Sequence, residues 1–130
     1  METKKTIFLV DDDVDILFQM QNMLEHMGFS VISANGQKEG EEMLAKINPD
    51  LAIFDLMMEN KDSGFILSHR LKQHHPNVPV IIATALTAET GMVFSLEDAA
   101  DKKWIKADLY LEKGVRADQL HREINKLLKL

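Results

Sequence analysis

The chain has 130 residues, 45% of them apolar and 28% charged, which is enough apolar material for one core of ordinary size. Its 15 Lys and Arg stand against 21 Asp and Glu, a net charge of −6, so it lacks the basic field by which proteins hold nucleic acid nonspecifically, and direct DNA binding is not expected. It contains no Cys, which excludes disulfides, thiol catalysis and Cys-based zinc or iron sites and accords with a reducing, cytoplasmic location.

From the first residue, a short basic stretch leads into TIFLV (6–10), an apolar run of strand length. Asp11, Asp12 and Asp13 end that run long before a signal sequence or a span of about 20 apolar residues could form, so no membrane segment is expected. Adjacent carboxylates repel, and the cluster costs stability unless a cation or hydrogen-bond donors compensate it. Asp is favoured at helix starts, and Asp13 is expected to cap the helix that follows; capping does not account for three aspartates in a row. Ile16, Leu17, Met20, Met23, Leu24 and Met27 then step by three and four, the mark of a helix with one apolar face, and Gly28 punctuates its end.

SVISA (30–34) predicts a second strand, with Gly36 after it and Asn48-Pro49 closing a second helical stretch. LAIFD (51–55) predicts a third strand, which ends on Asp55. Another helical stretch runs to His75-Pro76, and VPVIIAT (78–84) predicts a fourth strand ending on Thr84. A long segment follows before ADLYL (107–111), the fifth strand, which leads into Glu112 and Lys113; Leu120, Ile124, Leu127 and Leu128 mark a last helix. The histidines at 26, 69, 74, 75 and 121 have no ligand partners at compatible spacing and read as helix-surface or helix-end residues, and most of the eight Met read as core filling.

Five alternations of strand and helix, strands without polar alternation, and crossovers long enough for parallel connections predict an α/β doubly wound sheet. No linker or repeat interrupts the chain, so one domain over 1–130 is expected, with no output domain after RADQLHREINKLLKL. In an open parallel sheet, ligands sit beyond the carboxyl ends of the strands. Asp11, Asp12 and Asp55 would converge there as an oxygen-rich pocket for a hard cation such as Mg²⁺. The Lys113 ammonium and the Thr84 hydroxyl would receive the oxygens of a phosphoryl group, which leaves Asp55 positioned as an acyl-phosphate nucleophile. No G-x-G-x-x-G follows a strand, so a dinucleotide fingerprint is absent.

In order and separation, LVDDD, LAIFDLM, DSGFIL, VIIATA and LYLEK resemble the response regulator receiver domains, the phosphoacceptor modules of two-component signalling. The resemblance covers nearly the whole chain. It implies a flavodoxin-like (βα)₅ fold with strand order 2-1-3-4-5, and a signalling domain rather than an enzyme, phosphorylated on Asp55 by a histidine kinase or phosphotransfer protein with Mg²⁺. By the same resemblance Asp11, Asp12, Asp55 and the backbone carbonyl of Met57 hold the metal, and the backbone N–H groups of Met57 and Ala85 contact the phosphoryl oxygens. Lys113 binds phosphate, and Thr84 and Tyr110 act as the switch pair. The readout is a downstream protein partner or a phosphorylation-dependent homodimer.

Four departures stand out. Gly114 replaces the proline that usually follows the lysine, and a cis bond before a non-proline residue costs about 2.5–4 kcal/mol. LMMENKDSG reads about one residue long and lacks the usual proline. Between Thr84 and Lys113 lie about seven extra residues, which carry Phe94 and Trp104 as candidates for a partner surface. Met57 and Leu86 stand two residues after Asp55 and Thr84, at the positions that in the family influence the water attacking the acyl phosphate. A phosphorylation-independent interaction module, and a small Mg²⁺-dependent phosphatase with Asp11 as nucleophile and Asp13 as acid, are the competing readings.

Overall fold

A computed structural model describes residues 4–56, 58, 60, 62–84, 108–112 and 116–130. Along the described chain run β1 (Thr6–Val10), α1 (Val14–His26), β2 (Ser30–Ala34), α2 (Gln37–Leu44), β3 (Leu51–Asp55), α3 (Ser63–His74), β4 (Val80–Thr84), β5 (Leu109–Glu112) and, from Ala117 to Leu128, α4. The five strands form one parallel sheet in the order β2-β1-β3-β4-β5, as the resemblance implied.

Side chains alternate across a strand, and here both faces are apolar. Ile7, Leu9, Leu51, Ile53 and Ile81 pack with Leu24 of α1 and with Leu120 and Ile124 of α4. Their neighbours Phe8, Val10, Ala52, Phe54, Val80 and Ile82 pack with Leu44 of α2 and with Phe65, Leu67 and Leu71 of α3. The sheet therefore lies between two helical layers, α1 with α4 on one side and α2 with α3 on the other. Phe8 and Phe54 meet edge to face across β1 and β3, with ring centroids 5.7 Å apart, in the centre of the second layer.

The helix ends follow from local chemistry. Asp13 caps α1 as expected: its side chain accepts from the N–H groups of Asp15 and Ile16. Gly28 takes φ 98°, a conformation that costs glycine nothing, and so lets Phe29 turn back into the core. Met20, Met23 and Met27 pack on the α1 side of the sheet and Met43 and Met58 on the other, as core filling requires. Two of the histidines expected on helix surfaces are in fact half-buried. His69 is partly covered on α3, and His121 rests edge-on against Phe29, whose return to the core supplies the ring.

Two strand starts also differ from the sequence expectation. β4 begins at Val80 rather than Val78, because Pro79 has no N–H to give the ladder; its carbonyl accepts from Ala52 N–H at 3.0 Å. β5 begins at Leu109 because Asp108 acts through its side chain. Its Oδ2 accepts from Val80 N–H at 2.8 Å and from Lys72 Nζ at 2.9 Å, while its own N–H donates to the Val80 carbonyl at 2.8 Å.

Candidate functional site

Sheet register brings the acidic residues together. Val10 pairs with Phe54, so the next residue on each strand, Asp11 and Asp55, emerges side by side at the carboxyl edge. This is the point where the chain leaves β1 for α1 in one direction and β3 for α3 in the other, the topological switch at which open α/β sheets take their ligands. Asp11 and Asp55 are each 4% exposed, whereas Asp12 is open to solvent. One carboxylate oxygen from each of the three lies within 4.8 Å of the others.

At that separation two carboxylates repel by about 3–4 kcal/mol at an effective dielectric of about 20. The three oxygens could share one divalent cation, some of them directly and some through a bridging water. Oxygen donors of this hardness, two buried and one exposed, fit a cation that keeps part of its water shell. Within the cluster, Asp13 N–H donates to Asp11 Oδ1 at 2.9 Å, which fixes that carboxylate. Asp13 itself spends one oxygen on the cap, at 3.0 Å from Asp15 N and 3.2 Å from Ile16 N, and is not among the three clustered acids. That use weighs against Asp13 as the acid of a phosphatase.

The loop after Asp55 is held from two sides. Leu56 N–H donates to the Ala83 carbonyl of β4 at 2.9 Å, and Gly64 N–H donates to the Leu56 carbonyl at 2.9 Å. Gly64 comes so close that a Cβ there would lie 2.5 Å from the Asp55 carbonyl oxygen and 2.9 Å from Leu56 Cα. Across the loop, Asn60 and Ser63 reach Gln37 at the start of α2. Sequence reasoning missed both Gly64 and Gln37 as parts of the site. Gly64 stood in the quoted DSGFIL without a role, and nothing local marks a glutamine that is 26 residues from its partner.

Of the other predicted residues, Thr84 ends β4 and Tyr110 lies second in β5. Met57, Ala85, Lys113, Phe94 and Trp104 fall outside the described residues, as do Leu86 and the Lys113-Gly114 peptide. Among the described residues, no helix is long and apolar enough to cross a membrane.

The model of the family described as "Response regulator receiver domain" matches residues 7–125. The chain belongs to the receiver domain family. As a receiver domain it is a component of two-component signalling and a signalling module rather than a classical enzyme. Among solved structures it is similar to a CheY-like receiver domain protein from Methanospirillum hungatei JF-1, with TM-score 0.82 and 27% identity over 98% of this chain and 95% of that one. The receiver domain of the Francisella response regulator 1452 is also similar, with TM-score 0.78 and 28% identity over 97% of this chain and 98% of that one. Curated relatives include the alkaline phosphatase synthesis transcriptional regulatory protein PhoP of Bacillus subtilis, 36% identical over 75% of this chain and 40% of that protein. The transcriptional regulatory protein CpxR of Klebsiella pneumoniae is 34% identical over 95% of this chain and 49% of its own length. This receiver spans about half the length of the curated relatives it matches.

Proposed function

We propose that residues 1–130 form a single receiver domain that accepts a phosphoryl group on Asp55 from a histidine kinase or phosphotransfer protein and signals by a change of surface. The observation that carries the reading is the meeting of Asp11, Asp12 and Asp55 at one strand edge, with Asp55 at the buried base. In the reaction, an Asp55 carboxylate oxygen attacks phosphorus, the P–N bond of the donor phosphohistidine breaks with its electron pair staying on nitrogen, and the imidazole leaves as the neutral ring after taking a proton from solvent. An O–P bond on Asp55 replaces the lost P–N bond. Asp11, Asp12, Asp55 and the Met57 carbonyl would hold Mg²⁺, which when bound neutralises charge on the carboxylate and phosphoryl oxygens.

The chain's own groups do the rest. Asp13 N–H orients Asp11, and the tight contact of Gly64 with the Asp55 backbone fixes the acceptor. Lys113 would bind a phosphoryl oxygen, with the N–H groups of Met57 and Ala85 beside it. Thr84 and Tyr110 would carry the change to the segment 86–106, where Phe94 and Trp104 would meet a protein partner or a second copy.

Support for a docking partner comes from α1. Val14 and Phe18, one turn apart and directly after the acidic cluster, are 65% and 67% exposed, an unusual state for large apolar side chains. They offer a phosphohistidine-bearing protein an apolar foothold beside the acceptor.

Intact-mass analysis after incubation with phosphoramidate and Mg²⁺ tests the reading. Wild type should gain one phosphoryl group that is stable in acid and labile in base, and Asp55→Asn should gain none. Continued turnover of small phosphate esters, or labelling that survives Asp55→Asn, would overturn it.

A further inference from the structure

We propose that Gln37 is a positioning residue for the loop after Asp55, holding it from α2 in the geometry that completes the metal and phosphoryl site. The proposal rests on reading Asp55 as the phosphoacceptor. Gln37 Oε1 accepts from Ser63 Oγ at 2.6 Å and from Asn60 Nδ2 at 3.1 Å. Asn60 is in turn tied to the start of α3: its N–H donates to Ser63 Oγ at 2.9 Å, and its carbonyl accepts from the N–H groups of Ser63 at 3.3 Å and Met58 at 3.1 Å. Ser63 is fully buried, and its one hydroxyl proton has two acceptors in reach, Gln37 Oε1 at 2.6 Å and the Asn60 carbonyl at 3.0 Å, of which Gln37 is the nearer.

The orientation of the Gln37 amide is determined by its surroundings. Its oxygen meets two donors, while Nε2 faces Glu41 Oε1 at 3.5 Å, and that same carboxylate oxygen is bound by Arg70 Nε of α3 at 2.7 Å. Turning the amide over would set its NH₂ against the Asn60 NH₂ and its oxygen against a carboxylate. The arrangement therefore runs as one chain of contacts, from α3 through Arg70 and Glu41 to Gln37, and from there into Asn60 and Ser63.

A loop of this kind needs such a hold. No proline lies in LMMENKDSG between Asp55 and α3, so the hold on Met58 and Asn60 comes from hydrogen bonds instead. The Met57 carbonyl assigned to the metal lies in this stretch. If the loop is ordered before the cation arrives, the cation does not have to order it, and binding is tighter by that amount. Gln37 thus tunes how much Mg²⁺ the receiver needs, from a helix that touches neither metal nor phosphoryl group.

The test compares wild type with Gln37→Ala, Asn60→Ala and the charge-swapped pair Gln37→Glu/Glu41→Gln. Without Mg²⁺, hydrogen exchange should quicken across residues 56–62 in Gln37→Ala. Its half-saturating Mg²⁺, read by calorimetry and again by phosphoramidate labelling, should rise about five- to tenfold, the equivalent of one or two hydrogen bonds. The labelling rate at saturating Mg²⁺ should stay within about twofold. Gln37→Glu alone would set a carboxylate oxygen against Glu41, so Glu41→Gln is made with it; the pair keeps the acceptor oxygen, supplies an amide N–H at position 41 and leaves the net charge unchanged, and should restore near-wild-type Mg²⁺ dependence. Asn60→Ala, at an exposed position, should repeat the alanine effect more weakly. Unchanged exchange and unchanged Mg²⁺ saturation in both alanine variants would overturn the proposal, as would a swapped pair no better than Gln37→Ala. A wild type that fails to label overturns the phosphoacceptor reading instead, while the exchange and calorimetry arms still report on the hold itself.

Discussion

Gly64 carries a constraint that no other residue meets. The atoms a Cβ would strike belong to the backbone of Asp55 and Leu56, so neither a rotamer change nor a flexible side-chain tip relieves the clash. Gly64→Ala should destabilise the fold by about 1–3 kcal/mol, the usual cost of overpacking, and should lower Asp55 labelling more than the loss of folded protein explains. Thermal melts and mass analysis of the same samples separate the two effects. If Met57 and Leu86 flank a phosphoryl group on Asp55, as the proposed function implies, neither side chain can hydrogen-bond the water that would attack it. The phosphoryl group should consequently be long-lived for a receiver. Met57→Asn combined with Leu86→Glu should shorten its half-life severalfold, as followed by the decay of the labelled mass; equal or slower decay would show that these positions do not flank the phosphoryl group.

The first helix presents two faces with two uses. Leu24 seals the core, while Val14 and Phe18 stay in solvent next to the acidic cluster. Phe18→Asp should therefore leave stability within about 0.5 kcal/mol, as surface changes do. It should leave phosphoramidate labelling unaltered too, yet slow transfer from a phosphorylated histidine kinase at least fivefold. Equal slowing with both donors would place Phe18 in the acceptor chemistry rather than in docking. Elements of this kind were largely legible in advance. Three strands coincide with their apolar runs because burial on both faces leaves an uninterrupted hydrophobic signature. Asp11, Asp12 and Asp55 were legible because strand ends in a parallel sheet share one edge. What stayed hidden depends on contacts between distant residues. Pro79 and Asp108 moved two strand starts, the first by lacking a donor and the second by replacing backbone pairing with a side chain. Gln37 and Gly64 acquire their roles only when α2 and α3 are brought against the loop after β3.

Taken together, the domain has net charge −6 and gathers three acids at one edge, so its stability should respond to divalent cations. Mg²⁺ at ten times its dissociation constant should add about 1.4 kcal/mol, an increase in Tm of roughly 5 °C. Asp12→Ala, at an exposed position where no cavity is left, should melt no lower than wild type without Mg²⁺ and lose most of that gain. A wild-type melt indifferent to Mg²⁺ would remove the metal from the site. The clamp that Asp108 makes on Val80 and Lys72 has a separate consequence for the whole fold. It fixes the entry of β5 on the sheet before the strand begins, since one carboxylate serves both the start of β4 and the end of α3. Asp108→Ala should therefore lower Tm by several degrees, as read by a thermal melt, and an unmoved melt would show the clamp to be idle. A strand fastened at its entry has one register in which to close, and the edge of β4 that it covers is withdrawn from pairing with any other chain.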